Sequence, residues 1–134
     1  MSSITVKSTG TLIDELITTH FKIEVNPSTE NIQRALLLET AIRIRLDGNE
    51  EQIALQVIKL RTVLRECWNS QEVVMQYKDL RISDNLSASA MVDWIRVGQA
   101  GLTAQRTNAV RNKIIREIDT ILGEDTTPLG KTYG

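Results

Sequence analysis

Gly10-Thr-Leu-Ile-Asp-Glu-Leu-Ile-Thr-Thr-His-Phe-Lys-Ile23 decides the fold class, because its apolar residues recur at helical rather than strand spacing. At about 100° per residue, Leu12, Ile13, Leu16, Ile17, Phe21 and Ile23 share one face covering roughly half the circumference. His20, the only histidine in the chain, projects to the middle of that face, and Asp14 to its edge beside Phe21. Glu15, Thr19 and Lys22 point toward solvent. Thr11 can cap the helix, with Asp14 three residues on as the reciprocal member of a weak capping box.

Working outward, residues 1–9 form an arm in which Ile4 and Val6 alternate with polar residues, suiting a short strand, an extended segment or a disordered start. On the other side, Asn26-Pro27-Ser28 stops the first helix and starts a second over about residues 27–46. Asp47-Gly48 ends that helix, and Arg43 and Arg45 complement its negative end. Asn49 and Gln52 then open a third and longest helix. Its residues Ile53, Val57, Leu60, Leu64, Cys67 and Val74 form a heptad seam interrupted at Gln71. The seam suits packing inside a monomeric bundle, with pairing to a second chain as the alternative.

The third helix is expected to end within residues 78–85, where Ser83-Asp84-Asn85 supplies turn chemistry. A fourth, from about residue 86, carries Met91, Trp94, Ile95 and Leu102, and Gly98-Gln-Ala-Gly101 interrupts it as a kink or a close approach of two backbones. The last helix, about residues 102–122, aligns Val110, Ile114, Ile115, Ile118, Ile121 and Leu122, with Arg111 inside that face and Asn108, Asn112 and Asp119 along one edge. Gly123 ends it. The expectation is an all-α antiparallel bundle of four to five helices with one long central helix: an arm over 1–9, a single domain over 10–123 and a disordered tail over 124–134.

Composition narrows the function classes. Sixteen basic and 17 acidic side chains, net charge -1, provide no overall electrostatic footprint for nucleic acid or an anionic membrane, although a local patch is compatible with them. A single cysteine excludes an intramolecular disulfide and a cysteine-based zinc site, and suits a reducing cytoplasm. No secretion signal is apparent, and no apolar run approaches the roughly 20 residues that span a bilayer.

Chemistry is sparse. The spacings His-x-x-x-His and Glu-x-x-His are absent, so no metal and no cofactor are expected. No nucleophile elbow or phosphate loop occurs, and Glu50, Glu51, Glu66 and Glu72 do not form the paired acidic turns of helical nucleotide pyrophosphatases. Two residues stand out, His20 and Arg111, each on an otherwise apolar face. A buried guanidinium requires a partner because it cannot lose its proton, and Asp14 is the first candidate across the helix contact. Fixing helix register is the primary role read for that pair.

The phrases Gly10-Thr-Leu-Ile-Asp14, continuing to Lys22 and Ile23, and Asn108-Ala-Val-Arg-Asn112, leading to Ile118-Asp119, resemble the first and last helices of a family of short all-helical bacterial proteins of unknown function. The resemblance implies a helical fold and no activity. Val110 departs from the family's glutamine, and the middle of the chain is not covered. Two functional readings follow. The preferred one is an interaction or assembly module, self-associating as a homodimer or binding a protein partner. The alternative is a small-molecule or anion-binding protein, or an enzyme, with a site between the first and last helices built from Asp14, His20, Lys22, Asn108, Arg111 and Asn112, in which Arg111 and Lys22 hold an anion, Asp14 orients one of them and His20 is available as acid or base.

Overall fold

The computed structural model describes residues 7–76 and 88–124. Among them are four helices and no strand: α1 (Thr9–Val25), α2 (Thr29–Leu46), α3 (Glu50–Gln76) and α4 (Ala88–Ile121). The arm up to residue 6, the region 78–85 where the third helix was expected to end and the tail from residue 125 lie outside the described residues. The described residues form two compact units, one of residues 7–61 with 112–124 and one of 62–76 with 88–111.

The cap of the first helix lies three residues before the expected Thr11. Ser8, with extended backbone, caps it by accepting from the Thr11 amide at 3.2 Å, and the Ser8 hydroxyl donates to Thr11 Oγ1 at 2.9 Å. Asp14 therefore sits in the second turn rather than in a capping box. The start of α2 matches the sequence pattern, with Ser28 accepting from the Asn31 amide at 3.1 Å. Its end does too: Asp47 and Gly48 adopt φ of 47° and 87°, the left-handed turn that the Asp-Gly pair announces.

Burial on α1 departs from a single-stripe amphipathic helix. Gly10, Ile13, Asp14, Ile17 and Phe21 are buried on one side, while Leu12 and Thr19 are buried nearly opposite. The helix is covered on two sides, so it is the central element of its unit. One side packs on α2, flanked by Arg34 Nε donating to Glu15 Oε2 at 2.9 Å and by His20 Nε2 at 3.5 Å from Glu39 Oε2. The other side receives Ile115 of α4 against Gly10 and the Arg61 guanidinium 5.8 Å from the Phe21 ring centre. His20 is consequently half-exposed at the edge of the α1–α2 contact, not in mid-face, and Thr19 is buried rather than solvent-facing.

The α3 seam is buried within the single chain at Ile53, Leu60, Leu64 and Cys67. The fourth and fifth expected helices are one continuous helix that runs through Gly98 and Gly101; among the described residues, a Cβ at either would meet open space. Among the described residues, neither glycine marks a close backbone approach. On α2, Leu38 is fully buried, whereas Leu36 is 58% exposed. In dilute protein, Leu38→Ala should lower the unfolding free energy by about 2–5 kcal/mol, and Leu36→Ala should change it by no more than about 0.5 kcal/mol. Urea denaturation of both variants checks this; equal effects would contradict the assigned orientation of α2.

Candidate functional site

A helix leaves its first amides without intrahelical acceptors. At α1, three of these donors find three different partners. The Thr9 amide donates to Glu124 Oε1 at 2.9 Å, the Gly10 amide to Asp119 Oδ1 at 2.7 Å, and the Thr11 amide to Ser8. The Thr9 hydroxyl donates to the second oxygen of Glu124. Two carboxylates from the far end of the chain thus cap the positive end of α1.

Glu124 reaches this position because Gly123, at φ 76°, reverses the chain. The Gly123 amide donates to the Thr120 carbonyl at 3.0 Å and the Glu124 amide to the Asp119 carbonyl at 2.8 Å, the double bond of a Schellman turn. Glu124, expected in a disordered tail, is ordered by this turn and by Thr9. Asp119, expected at a helix edge, is 1% exposed. Desolvation, aided by the neighbouring Glu124 charge, raises its carboxyl above the ordinary value of 3.8, against the opposing pull of Ser8, the Gly10 amide and Arg45. Gly10 is required by the close approach of α4, since a Cβ there would lie 2.6 Å from the Ile115 carbonyl oxygen.

The first turn of α1 and the end of α4 therefore meet through Thr9, Gly10, Asp119 and Glu124, whereas the expected contact between the first and last helices was Asp14 with Arg111. Of the residues singled out in the sequence, Asp14 is buried on α1, Lys22 is exposed in its last turn and His20 faces Glu39. Asn108 and Arg111 belong to the second unit, where Arg111 Nη1 donates to Asn108 Oδ1 at 3.4 Å. Asn112 is exposed in the first unit. The detectable signal for the clasp was a glycine in the first turn of a helix, where alanine is intrinsically better, together with an acid directly after the terminal glycine.

Beyond the clasp, three surface features of the first unit could carry function. The outward side of α2 exposes Leu36, Leu37 and Ile44 at 58, 51 and 72%. An apolar groove of about 380 Å³ lies among Ile13, Leu16, Ile42, Leu46, Ile53 and Val57. A polar cleft of about 440 Å³ between α3 and α4 is lined by Gln56, Lys59, Lys113, Arg116, Glu117 and Thr120. Among the described residues no helix is long and apolar enough to cross a membrane.

The clasp generates two predictions. Gly10→Ala should destabilise the protein by about 1–3 kcal/mol through overpacking, opposite in sign to the gain of about 1 kcal/mol that the exchange normally brings within a helix. For pH, the folded chain retains the Asp119 proton in the window between 3.8 and the raised folded value, while the unfolded chain releases it. This group's contribution to stability therefore falls as pH rises through that window. Asp119→Asn keeps an oxygen acceptor for Gly10 and removes the titration, so urea unfolding across acidic pH should lose that component of the slope. An identical pH profile in the variant would remove Asp119 as its source. Comparison of the chain with protein-family models, with curated proteins and with solved structures finds no match.

Proposed function

We propose that the protein is a helical interaction and assembly module, an antiparallel bundle that pairs with a second copy of itself through the outward side of α2 in a reducing cytoplasm. One observation carries this reading. The helix is apolar on both sides: Ala35, Leu38, Ile42 and Leu46 fill the core, while Leu36, Leu37 and Ile44 surround Thr40 on the exposed side. Scattered exposed apolar residues are ordinary, but a set at helical spacing on one outward side is the pattern of an interface.

The pattern is self-complementary. Two α2 helices laid antiparallel with Thr40 opposite its own copy bring Leu36 and Leu37 of one level with Ile44 of the other. Arg43 and Glu39 lie on the same edge of that side, and in this register each Arg43 comes within about 3 Å of axial rise of the other copy's Glu39. Two symmetric ion pairs then line one edge of an apolar centre. The near-zero net charge of -1 opposes association little.

Sedimentation across a wide concentration range tests the reading. Reversible dimerisation is expected, weakened at least tenfold by Ile44→Glu and also by Arg43→Glu alone, with Glu39→Arg restoring the latter. A strict monomer at all concentrations would refute self-association.

A further inference from the structure

We propose that the cleft between α3 and the last turns of α4 binds a small phosphorylated ligand. Lys59 of α3 and Lys113 and Arg116 of α4 converge on it, with Gln56 and Thr120 as hydrogen-bond donors and Glu117 as its one carboxylate. Among the described residues, none of the three cations lies within ion-pair distance of a carboxylate. A role in complementing the helix dipole accounts for none of the three, because the last turn of α4 holds no basic residue and Lys59 lies in the interior of α3.

The charge balance selects the ligand class. Three cations against one carboxylate leave a surplus of two positive charges, which matches the charge of about -1.5 to -2 on a phosphate monoester at neutral pH. The arginine offers a planar fork for two phosphate oxygens, and the lysines act as flexible point charges. The negative end of α4 does not oppose the anion strongly, because the Asp119 and Thr120 carbonyls are occupied by the turn at Gly123. The cleft volume of about 440 Å³ falls within the range of about 300–1,000 Å³ typical of small-ligand sites. The site is independent of α2, and so of the proposed dimer.

Calorimetric titration of the full chain with inorganic phosphate, pyrophosphate and a phosphate monoester at low salt tests the proposal. Saturable binding is expected for at least one of the three. Preference for the monoester would identify an organic phosphate, and equal or tighter binding of the inorganic anions a free one. Arg116→Gln and Lys59→Gln should each weaken binding about tenfold with circular dichroism unchanged. Glu117→Gln should tighten it severalfold, a sign that a purely structural role for these residues would not produce. Arg106→Gln, which removes one positive charge outside the cleft, should leave affinity unaltered. Absence of saturable binding to all three probes would overturn the proposal. So would binding insensitive to Arg116→Gln and Lys59→Gln, loosening by Glu117→Gln, or an affinity for single-stranded RNA far above that for any of the probes.

Discussion

The first turn of α1 depends on acceptors supplied from 109 and 115 residues away. A buried amide left without a partner costs about 1–3 kcal/mol, and here the partners are carboxylates held at the opposite end of the chain. The order of dependence is definite. Gly123 must adopt its left-handed conformation for Glu124 to turn back, Asp119 must lie on the buried side of α4 for its carboxylate to reach Gly10, and Gly10 must lack a side chain for α4 to come that close. Local helix-ending chemistry at one terminus therefore becomes helix-starting chemistry at the other.

This arrangement explains why α1 can be covered on two sides while retaining charged residues. Glu15 lies at the edge of the α2 contact, where Lys7 Nζ meets it at 2.9 Å and Arg34 binds its other oxygen. Partial burial acts to raise the Glu15 carboxyl, but the hydrogen bonds from Lys7 and Arg34 outweigh it and hold the group below its ordinary value. Its stabilising contribution is thus present above the unfolded value of 4.5 and is lost as pH falls, opposite in sign to that of Asp119. The guanidinium of Arg45 donates to the Lys7 carbonyl, fastening the entry of α1 beside the end of α2. Polar contacts at the margins set register, and apolar contacts between them supply the driving force.

Features governed by local chemistry were legible in the sequence. The turns at Asn26-Pro27-Ser28, Asp47-Gly48 and Gly123, and the buried seam of α3, follow from residue preferences that act within a few positions. Features set by the number of neighbours were not. A helical projection assumes one buried side, so for a helix covered twice it placed His20 inside and Thr19 outside. Gly98 and Gly101 were read as a break because their intrinsic cost is visible, whereas the propensity of the surrounding residues to continue the helix is spread over many positions. Asp119 was hidden for a related reason: a carboxylate on a helix edge and one poised to cap another helix have the same sequence signature.

Net charge illustrates the same limit at the surface. A balance of 16 basic and 17 acidic residues gives no overall electrostatic footprint for an anionic partner, yet the total is silent about a cleft where three cations face one carboxylate. In that cleft the cations are brought together by two helices that are distant in sequence and antiparallel in the proposed bundle, so no window along the chain contains them. The outward side of α2 is the complementary case, with its apolar residues contiguous in sequence and its significance evident only once the opposite side is known to be filled. The two surfaces draw on different helices, so perturbing one leaves the other measurable, and self-association and anion binding can be assigned separately.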